Sequence, residues 1–155
     1  MTSKRSVAKQ IAALPFHWDK NGKLRVLMVT SRDRGRWIMP KGWTMDGKKP
    51  CQAAKIEALE EAGAVGYVAD QAIGAYHYTK NLGKGRSVRC RVTVYPMVVD
   101  KLKRRWKERN ERKRHWFSLV KAARLVDEPE LADLLRRLAE NPEELTEIEE
   151  MRPAA

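Results

Sequence analysis

The chain has 155 residues, 43% hydrophobic and 34% charged, which is one domain's worth of polypeptide and apolar enough for a packed core rather than wholesale disorder. No stretch approaches the roughly 18 apolar residues of a membrane span, and the basic N-terminal pentapeptide has no signal-length apolar run behind it, so the expectation is a cytoplasmic protein. Net charge is +12, with 29 basic and 10 acidic residues in 1–126 against 3 and 10 in 127–155, and such a basic body implies a polyanionic partner.

Residues 7–16 read as a strand that loses pairing near Pro15, which has no N–H for a ladder. Asp19-Lys20-Asn21-Gly22 is a turn signal and Leu24–Thr30 a β-branched, buried strand, so these pieces form a hairpin. A polar loop, Arg32-Asp33-Arg34-Gly35, leads to the apolar run 37–39 and a break at Pro40-Lys41-Gly42-Trp43. Pro50–Ala62 is the best helix: Pro50 suits its first turn, Gly63 the position after its end, and its body is rich in Ala, Glu and Leu. Cys51 and Cys90 stand in no metal-ligand spacing, which fits a reduced protein rather than a disulfide framework or a zinc module.

Residues 67–79 and 88–99 read as strands, joined by a loop over 81–85 with two glycines and with Lys80 and Lys84 close by. Along 88–95, Val88, Cys90, Val92 and Val94 face one side and Arg89, Arg91, Thr93 and Tyr95 the other. Residues 101–114 carry nine basic residues, and 115–117 is a short aromatic strand. Ser118 suits the N-cap of a helix through Leu125, and 129–139 is a second helix with Leu131, Leu134, Leu135 and Leu138 on one face. Residues 141–155 are acidic and weakly patterned, so a domain over 1–140 is followed by an acidic tail expected to fray or be disordered. Strands, one helix, strands, then helices suggest an α+β layered fold.

Glu57, Glu60 and Glu61 stand at offsets 0, 3 and 4, on one face of the predicted helix. Like charges at that spacing repel by a few tenths of a kcal/mol per pair. A hard divalent cation, which prefers carboxylate oxygens, relieves the repulsion and leaves positive charge for phosphate oxygens. Taken alone, the pattern also describes a solvated acidic helix face. It is not alone: the run from Gly42 through Glu57, Ala58, Glu60, Glu61 and Gly63 to Ala64 resembles the Nudix box, G-x5-E-x7-R-E-U-x-E-E-x-G-U with U apolar, without gaps. Lys48 and Ile56 depart from it, standing where the family has Glu and Arg, an oppositely charged pair that helps hold the box loop against the helix. Both are missing together, so neither leaves an unpaired charge. Residues 26–40 and 112–122 are similar to segments of the diphosphoinositol polyphosphate phosphohydrolase branch.

The resemblance implies a Nudix-type α/β/α sandwich with a mixed sheet and a loop–helix–loop motif. It implies hydrolysis of a diphosphate bond by water attack on phosphorus, with Mg²⁺ or Mn²⁺ held by Glu57, Glu60, Glu61 and the Gly42 carbonyl. Glu57 or Glu60 is the candidate general base, with Glu61 the principal ligand; few acids outside the box precede residue 127. A diphosphoinositol polyphosphate or dinucleoside polyphosphate needs converging cations, and the candidates are Arg32, Arg34, Arg36, Lys41, Lys84, Arg86, Arg89, Arg91, Arg112 and Arg114. Alternatives are ADP-ribose, a dinucleotide cofactor or RNA 5′ ends as substrate, or a non-catalytic polyanion-binding module. Lys103-Arg104-Arg105 with Trp106 would suit nucleic acid, because cations with an interleaved aromatic suit single strands. No membrane partner is expected. Trp37 reads as core, Trp43 as a stacking or pocket-lining group, and His77 and His115 as packing or surface residues. Cys51 has no general-base pattern near it.

Overall fold

A computed structural model describes residues 6–154; the basic pentapeptide 1–5 and the last residue of the expected acidic tail lie outside them. Strand β1 (Ala8–Trp18) turns into β2 (Leu24–Thr30) as the expected hairpin. Asp19 Oδ1 accepts the amides of Asn21 and Lys23 at 2.9 Å each, and Gly22 takes the left-handed φ of 75° that the turn needs. β1 does not end near Pro15. Residues 10–12 pair with β4 (Lys41–Trp43) and residues 16–18 with β2, so Pro15 falls where the partner changes and that ladder is interrupted. The other edge of β1 runs parallel to β7 (Arg86–Leu102), from Ala8 opposite Cys90 to Phe16 opposite Val98.

β3 (Trp37–Ile38) pairs with β2, and helix α1 (Pro50–Ala62) has the limits that Pro50 and Gly63 predict. The single strand expected over 67–79 is two. β5 (Ala64–Val68) and β6 (Gly74–Gly83) both lie antiparallel to β7, and polar residues 70–71 belong to the turn between them. The expected loop over 81–85 shrinks to a turn at Lys84 and Gly85, because the β6–β7 ladder continues to Gly83. β8 (Arg114–Phe117) pairs with β2. The eight strands form one mixed sheet, with backbone order β3-β2-β1-β7-β5 and β1–β7 its parallel pair.

Strand alternation sends side chains to two cores. Ala12, Leu14, Phe16, Val26 and Met28 pack with α2 (Leu119–Leu125), α3 (Pro129–Glu140) and Leu145 on one face. Ile11, Ala13, Leu27 and Val29 meet the alanines of α1 on the other. This is the α/β/α sandwich, with α1 alone on its face. Ser118 caps α2 as expected, its Oγ accepting the Lys121 amide at 3.1 Å. The segment read as a frayed acidic tail instead contains α4 (Glu143–Met151). Leu145 is fully buried and Ile148 packs on the same core, so two apolar side chains one turn apart fix a helix whose other positions are mostly acidic.

Candidate active site

Ala53, Ala54, Ala58 and Ala62 are buried, and their small side chains let α1 lie close on the sheet. That seating turns the last two turns of the helix toward β4. Glu61 is only 4% exposed, and its Oε1 accepts the Lys41 amide at 3.3 Å. A Cβ on Gly42 would stand 2.5 Å from Glu57 Cδ and 2.6 Å from its Oε1, so glycine leaves the notch that carboxylate occupies. Burial, then the hydrogen bond with Glu57, push the Glu61 carboxyl up to about 9. Burial also raises Glu57. Two carboxyls one helical turn apart thus both hold a proton more tightly than free carboxyls do.

A hard cation would suit this position, because its charge would take the place of the retained proton between the two carboxylates. Among the described residues, no three carboxylates are gathered into a ready cation cage. Glu60 adds its charge to the field at Glu57, but its Oε2 pairs with Lys107 Nζ at 3.6 Å. The structure therefore brings Glu57, Glu61 and Gly42 together and sets Glu60 toward the rim.

Glu57, Glu60 and Glu61 all line one cleft of about 410 Å³. Of the ten candidate cations, Arg32, Lys41 and Arg112 line it. Arg112 is nearly enclosed, at 8% side-chain exposure. Its Nε donates to Glu108 Oε1 at 2.9 Å, one terminal nitrogen donates to the Thr30 carbonyl at 3.0 Å, and the other stands 3.8 Å from Glu61 Oε1. It organises carboxylates and presents no open fork to a ligand. Lys41 is pushed down by burial, against the pull of Glu61, and its Nζ lies 5.1 Å from the centre of the Tyr78 ring.

The other seven lie away from the cleft. Arg36 pairs with Asp127 at 3.3 Å, Arg89 reaches Glu130 at 3.9 Å, and Arg91 lies exposed beside Thr93. Lys84 and Arg86 are exposed at the hairpin tip, and Arg34 is exposed in the loop between β2 and β3. Arg114 donates to the Ala62 carbonyl at 2.8 Å and stacks over the Trp106 ring at 3.8 Å. That stacking, with the Trp106 Nε1 donating to the Glu61 carbonyl at 3.0 Å, commits the indole that the nucleic-acid alternative would use.

Lys80, Lys107 and Glu108 also line the cleft and are absent from the sequence-derived set. Glu108 is a fourth carboxylate, 13% exposed in its side chain. Its mark in the sequence is that of one of two acids, with Glu111, inside a run of nine cations. Trp43, 47% exposed, stands at the same cleft.

No family model matches the chain. Nudix hydrolase 13, mitochondrial, of Arabidopsis thaliana is 29% identical over 135 residues, covering 79% of this chain and 65% of that protein. Diphosphoinositol polyphosphate phosphohydrolase 3-alpha of Homo sapiens is 28% identical over 134 residues, covering 84% of this chain and 77% of that one. The chain spans between about half and two thirds of the length of the Arabidopsis relatives Nudix hydrolase 13, 12 and 21. Among solved structures, the C. elegans Ap4A hydrolase matches with a TM-score of 0.61 at 21% identity, over 86% of this chain and 97% of that one. Among the described residues, no helix is long and apolar enough to cross a membrane. The chain has the Nudix fold, and by sequence it is a relative of the Nudix hydrolases, the diphosphoinositol polyphosphate phosphohydrolases among them.

Proposed function

We propose that this chain hydrolyses a diphosphate bond in a polyphosphorylated small molecule, with Mg²⁺ or Mn²⁺ as its cofactor. The observation that carries this is the Glu57–Glu61 pair at the Gly42 notch, in a cleft also lined by Arg32, Lys41, Lys80 and Lys107. A bound dication supplies charge neutralisation on the phosphate oxygens and acidifies bound water. Glu57, Glu61 and the Gly42 carbonyl would hold it, with Glu60 completing the set from the rim. The residues of the chain do the rest. The lysines and Arg32 orient the phosphate chain, Arg112 keeps Glu61 and Glu108 from drifting apart, and Glu57 or Glu60 takes a proton from the attacking water.

The relatives named for diphosphoinositol polyphosphates and the cationic cleft favour that substrate class. The exposed indole of Trp43 at the cleft supports a base-bearing alternative, a dinucleoside polyphosphate, because a flat aromatic face stacks on a nucleobase. The test is phosphate and nucleotide release from a diphosphoinositol polyphosphate, a dinucleoside tetraphosphate and ADP-ribose, with each metal, for wild type and Glu61→Gln. Loss of turnover in the variant supports the assignment, and wild-type turnover in the variant ends it. Inositol hexakisphosphate competing against one substrate and not another separates the substrate classes, and Trp43→Ala raises KM selectively if the substrate carries a base.

A further inference from the structure

An α-helix ends with four carbonyls that have no partner inside it. The sequence of α1 offers them nothing, since its last turn holds no basic residue. The segment between β7 and β8, together with the first residue of β8, supplies the partners. The Glu108 amide donates to the Glu60 carbonyl at 3.0 Å, Trp106 Nε1 to Glu61 at 3.0 Å, Arg114 to Ala62 at 2.8 Å, and the Lys103 amide to Gly63 at 2.8 Å. Four consecutive carbonyls thus take four donors from one distant stretch of chain. Two of those donors are side chains, stacked on each other at 3.8 Å. The cation of Arg114 also lies at the negative end of the helix dipole.

The fit leaves no slack. Gly63 has φ 65°, and a Cβ there would stand 2.8 Å from Arg114 and 3.1 Å from the Trp106 ring. The residues held are the ones that carry the Glu60 and Glu61 carboxylates. A rotation of this last turn would move Glu61 relative to the Lys41 amide and to Glu57, which stays in the preceding turn.

We infer that Trp106 and Arg114 are positioning residues for the reaction, a stacked clamp on the helix C-terminus that sets the carboxylate geometry from outside the helix. This rests on the proposed hydrolase reading of the site. It also gives Arg114, the last cation of the basic run 101–114, a role that composition alone would assign to polyanion binding.

The experiment compares wild type with Trp106→Phe, which keeps a ring and loses the Nε1 donor, with Arg114→Met, and with Arg114→Lys. Three quantities are read: kcat and KM with Mn²⁺, Mn²⁺ affinity by titration, and amide hydrogen exchange across 57–63. The expected result for Phe and Met is a kcat about 10-fold lower or more and Mn²⁺ affinity about 10-fold weaker, in the range of losses seen when groups that orient metal ligands are removed. KM stays within about twofold, exchange rises in 57–63, and β1 and β7 remain protected; the Lys variant recovers part of kcat. Wild-type kcat, Mn²⁺ affinity and exchange in both variants overturn the clamp. So does a general loss of protection with kcat per folded molecule unchanged, since that marks a purely structural contact. If the wild type itself shows no turnover, the hydrolase reading fails, and local exchange and Mn²⁺ binding still decide the clamp.

Discussion

Replacing Gly42 with alanine separates the geometry of the site from the stability of the fold. The new Cβ would stand 2.5 Å from Glu57 Cδ, where ordinary contact begins at 3.4 Å, so the carboxylate must retreat by about 1 Å. The atoms displaced are the far end of a flexible, half-buried side chain, so the fold yields there at little cost. A displacement of about 1 Å in a reacting group costs on the order of 100-fold in rate. The expected outcome is a fall in kcat of that size, with weaker Mn²⁺ binding and a melting temperature within a few degrees of wild type. Steady-state phosphate release, metal titration and thermal denaturation on the same preparation measure all three. A variant with kcat within twofold of wild type would falsify the notch, and an unfolded variant would show that Glu57 cannot yield.

Glu61 binds its proton more tightly folded than unfolded, so the stability it contributes is complete below about pH 4.5 and is lost as pH climbs toward about 9. Metal-free Glu61→Gln should therefore melt several degrees above metal-free wild type at pH 8 and show a flatter stability profile by calorimetry; equal profiles would show that burial does not raise this carboxyl. Leu145→Ala removes a fully buried side chain and should cost about 2–5 kcal/mol in urea unfolding. A cost below about 0.5 kcal/mol would mean that α4 does not belong to the cooperative fold. Gly66→Ala drives a Cβ into the Val98 carbonyl oxygen of the paired strand, where backbone cannot step aside. It should depress soluble yield or melting temperature more than Gly42→Ala does, and equal stability of the two variants would contradict this.

The parts of the fold legible in the sequence are those written in local chemistry. Pro50 and Gly63 bound α1, Asp19 and Gly22 make the first turn, Ser118 caps α2, and the alternation of 88–95 places Cys90, Val92 and Val94 in the core. What stayed hidden depends on partners remote in sequence. Pro15 looked like a strand end because the switch from β4 to β2 along β1 has no local mark. Arg112 and Arg114 read as free cations in the sequence because their acceptors, the Thr30 and Ala62 carbonyls and the Glu108 carboxylate, lie on remote elements or carry no mark that composition can show. Of the candidate cations, Lys41 reached the cleft because it adjoins Gly42, whereas Arg36 and Arg89 found carboxylates of the acidic C-terminal region. Lys48 and Ile56 left open how α1 is anchored, and the contacts at its far end supply an anchor.

The parallel ladder between β1 and β7 joins residues 8–16 to residues 90–98. A ribosome releases β1 long before its central neighbour exists, so the nascent strand has one edge unmatched until β7 has emerged. Sheets closed by such distant pairings assemble slowly, because the loop entropy is spent before the contact forms. The strand that pairs with Lys41–Trp43 beside the site is therefore made before its central neighbour and is held on that edge only after it.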